Sequence, residues 1–316
     1  MKKICFYNHW HNGDVFSGKG YMLDIMQQLG PRYEFSHAQL NSTKSMRDLP
    51  CEHIHTDQLP PQVTAHMRYI DVNGTFYINT WVGAYGNAVI PQGEHHANWP
   101  SLLTMWTHIM EVIKLNLAPE LSMPGDQGQV DISRYIPSTD WTPYDTGPAV
   151  EFLSGKNRVA LFCNGLVRST QSHIGLMEDV LEQLCADYKD IAFVCTSKFD
   201  NTFNAPNLYF TDDIFANVQE GDINEIAFLS TRCELIVGKN SGPFMFAHLK
   251  ENVFDPNKTF FSLSHRPSDS YAYNVSGLPC RYYHYSEEAG ASIVGHLRRA
   301  IDEKGLPSPR QMIVLD

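Results

Sequence analysis

No stretch of this 316-residue chain stays apolar for the roughly 18 residues that a membrane-spanning helix requires. No span is expected, and any membrane association would be peripheral. The opening run, Met-Lys-Lys-Ile-Cys-Phe-Tyr, is broken at once by Asn8, His9 and His11, so it does not read as a signal peptide. No CxxC pair occurs. The seven cysteines stand singly at 5, 51, 163, 185, 195, 233 and 280. Cys163 and Cys195 lie in apolar runs, so the set reads as buried reduced thiols of a cytoplasmic protein, not as disulfides or a zinc knuckle. Positive charge is also scarce. There are 24 Lys and Arg against 35 Asp and Glu, a net charge of −11. The deficit is shared, with 9 basic against 14 acidic residues through position 150 and 15 against 21 beyond it. Neither part offers a basic face for a nucleic acid. A local cationic pocket for one small anion stays compatible with these numbers. GxGxxG and P-loop fingerprints are both missing, which argues against a nicotinamide dehydrogenase or a P-loop kinase.

What is present is enough apolar sequence, 43%, to bury a core over two medium domains. Histidine is unusually frequent: fourteen, nine of them before residue 109. Strand-like runs at Lys2 to Tyr7, Tyr33 to Leu40 and Thr75 to Val82 are separated by a helical pattern from about Gly18 to Leu29. A second helical stripe runs from Trp99 to Leu117. Residues 41–68 read as polar loop, and residues 118–149 are rich in Pro, Gly, Ser, Thr and Asp, as at a domain boundary. Further on, strands are expected at Arg158 to Cys163, Ile191 to Thr196, Leu208 to Phe210, Glu234 to Gly238 and Thr259 to Leu263. Helices are expected at 174–188, 223–230, 243–250 and 287–304. Strands alternating with helices indicate parallel sheets covered on both faces. The expected architecture is α/β: two Rossmann-like domains, 1–149 and 150–316, facing across a cleft.

Three segments carry candidate chemistry. The first, from Asn8 to Lys19, leaves the first strand and enters the first helix, where doubly wound folds place ligands. Its Asp14 could accept a proton from an attacking hydroxyl, or could serve as a turn or capping carboxylate. His9 and His11, an HxH at a strand end, also admit a metal-site reading, and with it a metal-dependent hydrolase. The later histidines supply no HxxxH or HxxE pattern, and no metal is expected. The second segment, Glu234 to Lys250, is strand, turn and helix start. Ser241 or Gly242 suits a cap, Pro243 a first helical position, and Lys239 adds charge beside N–H groups that favour an anion such as a diphosphate. The third, Phe162 to Thr170, places Asn164 and Gly165 in a turn and Arg168 where its fork could reach a phosphate. The tyrosine-rich run from Tyr271 to Tyr285 could stack on a base or sugar, although aromatics of an edge strand are the commoner case.

Taken together, Gly13-Asp14-Val15, Arg168 and Asn240-Ser241-Gly242 resemble the motifs of GT-B glycosyltransferases, in particular the ADP-heptose heptosyltransferase family (glycosyltransferase family 9). The resemblance implies that Asp14 is the general base, with His9, His11 and Asn12 on the acceptor side. It implies that Gly13, Asn164, Arg168, Lys239, Asn240, Ser241, Gly242 and Pro243 hold the donor. It implies an inverting transfer from a nucleotide-diphosphate sugar, as co-substrate and with no further cofactor, to a glycan or glycolipid acceptor in surface-polysaccharide synthesis. The pattern departs from the family at Asn240, where Asp is usual, and at Met245, where His is usual. The Lys/Arg-x-Trp-Pro pattern is missing around Arg168. The chain therefore reads as a divergent relative. A nucleotide-sugar epimerase or binding protein of the same fold is the other alternative.

Overall fold

The computed structural model describes residues 1–41, 44–85, 101–126, 130–167, 172–200, 202–219, 221–239, 241–264, 278–286, 292–303 and 312–315. The chain divides into two compact units, Met1–Pro143 and Tyr144–Asp316.

The first unit is built on a five-stranded sheet in the order β3-β2-β1-β5-β4. Its strands are β1 (Lys2–Asn8), β2 (Tyr33–Gln39), β3 (Glu52–His55), β4 (Tyr69–Val72) and β5 (Thr75–Asn79). All pairs are parallel except β4 with β5, a hairpin turned by Asn73 and Gly74, both at positive φ. β1 lies in the middle, and its residues from Ile4 to Asn8 are buried without alternation, as a strand covered on both faces must be. The helices are α1 (Asn12–Ser17), α2 (Lys19–Leu29) and α3 (Ser101–Asn116). On α3 the stripe Leu103, Trp106, Ile109, Met110 and Ile113 is buried at helical spacing.

The second unit carries a seven-stranded sheet, β12-β11-β10-β9-β6-β7-β8, with every pairing parallel. The strands are β6 (Val159–Cys163), β7 (Ala192–Cys195), β8 (Leu208–Phe210), β9 (Leu235–Lys239), β10 (Thr259–Ser264), β11 (Arg281–Ser286) and β12 (Met312–Leu315). The helices are α4 (Gly147–Leu153), α5 (Glu178–Asp187), α6 (Thr211–Ile214), α7 (Ile223–Ser230), α8 (Gly242–Phe246), α9 (Lys250–Val253) and α10 (Ile293–Asp302). Leu181 and Leu184 of α5 and Leu297 and Ile301 of α10 pack with Phe162, Phe193 and Phe261 in one core.

The α/β class with two parallel-sheet units expected from the alternation is what the chain forms, and several details differ. The segment expected as a polar loop before Gly18 is already helical from Asn12, so Asp14 stands in the first turn of α1. The loop expected over 41–68 holds β3. The helix expected at 243–250 is two short helices. Asn252 donates to the Ala247 carbonyl at 2.8 Å, and Leu249 is extended, which ends the first helix before the second begins. Tyr282, Tyr283 and Tyr285 are not edge aromatics: β11 is an interior strand and all three rings are buried in its core. The remainder of the tyrosine-rich segment, 271–277, lies outside the described residues.

Candidate functional site

At the carboxyl end of the first sheet, two neighbouring strands finish in the same way. β1 ends Asn8-His9-Trp10 and β5 ends Asn79-Thr80-Trp81. Each asparagine folds back on the chain: the Trp10 N–H donates to Asn8 Oδ1 at 2.8 Å, and the Trp81 N–H to Asn79 Oδ1 at 2.9 Å. Such a side-chain turn replaces the ladder that the strand has just left. Asn79 also donates to the Ala65 and Met67 carbonyls at 2.9 and 3.0 Å, which fixes the segment after β3 against the sheet. Because Tyr7 pairs with Asn79 in register, the two turns leave the sheet side by side. Their indoles meet at 4.5 Å between centroids, tilted by 36°.

From this turn the chain enters α1 through His11, an extended residue that takes the N-cap position. The Asp14 N–H donates to the His11 carbonyl at 3.1 Å, and the His11 imidazole stands 3.8 Å from the Asp14 carboxylate. The Asp14 side chain keeps 40% of its surface open. The protein packed around the rest of it strips hydration from the anion and raises its pKa above the ordinary carboxylate value. The nearby His11 and its backbone hydrogen bond oppose the rise and do not cancel it. The result is a reachable carboxylate whose proton affinity is increased, which suits a general base.

The neighbours expected on the acceptor side fall out differently. His11 is open to solvent. Asn12 accepts a hydrogen bond from Asn41 at 3.3 Å, and the same Asn41 amide donates to the Trp10 carbonyl at 3.1 Å, so the loop after β2 braces the turn. His9 is half-buried, edge-on to Tyr7, and burial lowers its pKa, with Asp57 opposing. It is therefore a neutral imidazole near pH 7. Gly13 is buried. His9 and His11 thus face different surroundings, and among the described residues no three His, Cys, Asp or Glu side chains stand together as metal ligands. Farther along, Gly18, Lys19 and Gly20 are structural. A Cβ at Gly20 would stand 2.1 Å from the Tyr135 carbonyl oxygen, and one at Gly18 would meet the Trp106 ring at 2.3 Å. Lys19 is buried with its ammonium on Asp48 and Thr139.

The second unit's candidates lie at the ends of β6 and β9. Here the expectation needs correction. Lys239 is fully buried, and its ammonium donates to the carbonyls of Ile174 and Gly175, with those of Asn164 and Gly165 at 3.5 and 3.4 Å. It holds the two arms of the loop after β6 instead of presenting its charge to a diphosphate. Asn164 is equally buried and equally engaged. Its amide donates to the carbonyls of Leu176 and Ser197 at 3.1 and 3.0 Å, and its oxygen accepts the Ser197 N–H at 2.9 Å. Both are positioning residues for the loop that carries Arg168, and Arg168 itself lies outside the described residues, as does Asn240. Ser241 does occupy the N-cap of α8, and its main-chain carbonyl accepts the Met245 N–H at 2.9 Å. Its side chain makes no capping hydrogen bond. Gly242 and Pro243 open the helix as expected. α8 spans only five residues, so fewer peptide dipoles align there than the sequence promised.

Sequence reasoning passed over Asn79, Trp10, Trp81 and Asn41. The Asn-x-Trp repeat, Asn8-His9-Trp10 and Asn79-Thr80-Trp81, was the available signal for the first three; Asn41 left none.

The chain matches no protein-family model and no curated protein sequence. Among solved structures it is similar to a family 9 glycosyl transferase from Veillonella parvula, at 11% identity and TM-score 0.48, over 98% of this chain and 92% of that one. It is also similar to the ADP-heptose LPS heptosyltransferase II of E. coli, at 12% identity and TM-score 0.49, over 86% and 88%. A third is S. aureus MnaA bound to UDP, at 10% identity and TM-score 0.40, over 83% and 79%. Likeness at this level is one of chain trace and says nothing of residues or substrates.

Proposed function

We propose that this chain is a glycosyltransferase of the GT-B kind, which moves a sugar from a nucleotide-diphosphate donor to a hydroxyl of a glycan or similar acceptor, with inversion and without a metal. The observation that carries the reading is Asp14: an accessible carboxylate of raised proton affinity in the first turn of the helix that follows the central strand of a largely parallel sheet, where such folds bind ligands. Asp14 takes the acceptor proton. The freed oxygen attacks the anomeric carbon from the face opposite the diphosphate, and the carbon–oxygen bond to the diphosphate breaks with its electron pair leaving on the phosphate. His11, beside the carboxylate, lies on the acceptor side. The second unit binds the donor through the loop that Lys239 and Asn164 hold in place, where Arg168 stabilises the leaving charge together with the Ser241–Pro243 turn.

The test is a panel of nucleotide sugars incubated with and without saccharide acceptors, scored for free nucleoside diphosphate and for glycoside product. Donor consumed only when acceptor is present, with product of inverted configuration and undiminished in chelator, is the expected result. Interconversion of the donor sugar without an acceptor would instead identify an epimerase, and no consumption of any donor would overturn the reading.

A further inference from the structure

The paired turns at the end of β1 and β5 do more than place Asp14. They hold two indoles at the ligand-facing edge of the sheet, each only partly buried and each anchored through its own backbone N–H. Aromatic rings kept partly in water at the carboxyl end of such a sheet are suited to line a binding site. Gly83 is part of the arrangement: a Cβ there would lie 2.3 Å from the Trp81 ring, so the indole rests directly on the backbone. The His66 imidazole stands 6.0 Å from the Trp10 ring and 6.2 Å from that of Trp81, and extends the aromatic surface.

We propose that Trp10 and Trp81 form a stacking platform for a neutral pyranose ring of the acceptor. The proposal deepens the transferase reading above and rests on it. A pyranose presents a face of C–H bonds to an aromatic ring and a rim of hydroxyls to hydrogen-bonding groups, which is the mixture found here. Trp10 Nε1 and His9 Nε2 are both shielded from solvent and without a partner among the described residues. A sugar hydroxyl supplies a partner that the described residues do not. The charges at this edge favour a neutral ring over a phosphorylated one. Lys19 is committed to Asp48, and the Arg68 guanidinium is turned to the Ala84 and Tyr85 carbonyls and over the Tyr85 ring. Asp14, four residues beyond Trp10 in the chain, keeps a carboxylate 40% open, which repels an anion.

The test uses direct binding, so it does not depend on turnover. Neutral methyl pyranosides of the gluco, galacto, manno and N-acetylgluco series, and galactose 6-phosphate as the charged probe, are titrated into the full chain while the indole N–H resonances are followed by NMR. At least one neutral glycoside is expected to shift the Trp10 and Trp81 indole signals saturably. Trp81→Ala should weaken that binding about tenfold, Trp81→Phe should restore most of it, and the phosphate should bind more weakly. Circular dichroism of each variant reports folding. No saturable shift with any neutral glycoside, wild-type affinity in Trp81→Ala, or tighter binding of the phosphate would overturn the platform. Transfer to some acceptor with an unchanged acceptor KM in Trp81→Ala overturns the platform and leaves the transferase reading intact. Saturable glycoside binding with no donor ever consumed does the reverse.

Discussion

The two units place polar side chains at the same kind of site, at or just past the carboxyl end of central, parallel-paired strands, and use them in opposite ways. In the first unit the polar group past β1 stays reachable: Asp14 is 40% open, and its carboxylate is left with His11 as its main polar neighbour. In the second unit Asn164 and Lys239 are fully buried and donate to the carbonyls of the loop above them. One sheet end keeps an open carboxylate at some cost in hydration, while the other converts its polar groups into scaffold. A charge at a strand end is thus not by itself a binding residue. What decides is whether the following loop folds back far enough to consume it.

That contrast can be broken experimentally. Asp14→Asn should lower transfer by about 10²- to 10⁴-fold while leaving the fold intact, measured as turnover at saturating donor. Because the carboxyl pKa is raised, wild-type turnover should climb with pH through a midpoint above the ordinary carboxylate value of 3.8. Near-native turnover in the variant would end the assignment of Asp14 as base. Lys239→Met should act on stability: it strands several loop carbonyls away from water and costs about 2–3 kcal/mol by denaturant unfolding. A variant of unchanged stability and raised donor KM would return Lys239 to the role of a ligand contact.

A smaller effect separates the two buried histidines. His248 is neutral, its pKa lowered to about 4 by burial; its Nδ1–H donates to the Phe244 carbonyl and its Nε2 accepts from Tyr282. His37, lowered to about 3 by burial and by His53, has neither ring nitrogen hydrogen-bonded among the described residues. His248→Leu should therefore cost about 2 kcal/mol, and His37→Leu less than about 1 kcal/mol or nothing. Both native rings fold in the neutral form. Their contribution is complete above the unfolded pKa of 6.5 and is lost as pH falls toward about 4 and about 3. The smallest effect returns to Asp14. Its raised pKa means that the folded state binds the proton more tightly than the unfolded one, so ionisation costs stability as pH rises. Asp14→Asn should melt slightly higher than wild type at pH 7, and a lower Tm would show that the carboxylate is structural.

Most of the fold could be read from the sequence because fully buried parallel strands announce themselves: Val159–Cys163 and Ala192–Cys195 are unbroken apolar runs. β3, Glu-His-Ile-His, has no such run, and its exposure pattern explains why: no residue in it is fully buried. The candidate site was legible to the extent that local chemistry defines it. Asp14 follows a strand and is reachable. Lys239 and Asn164 were misjudged because their partners, the carbonyls of residues 174–176 and Ser197, are remote in sequence and belong to main chain, which leaves no mark in residue identity.

The junction of β6 with β9 has a consequence for how this protein is made. β6 pairs on one side with β7, nearby in the chain, and on the other with β9, which is reached only after α5, β8, α6 and α7. A chain emerging from the ribosome can assemble β6 to β8 as a small sheet, and the open edge of β6 then waits for its second neighbour. That edge is apolar, with Ala160 to Phe162 fully buried once the sheet is complete. Closure over so long a loop is slow compared with local pairing. The interval before β9 arrives is the period in which nascent chains are most prone to join one another edge to edge, so the yield of folded protein should depend more on synthesis rate and temperature than the stability of the finished molecule would suggest.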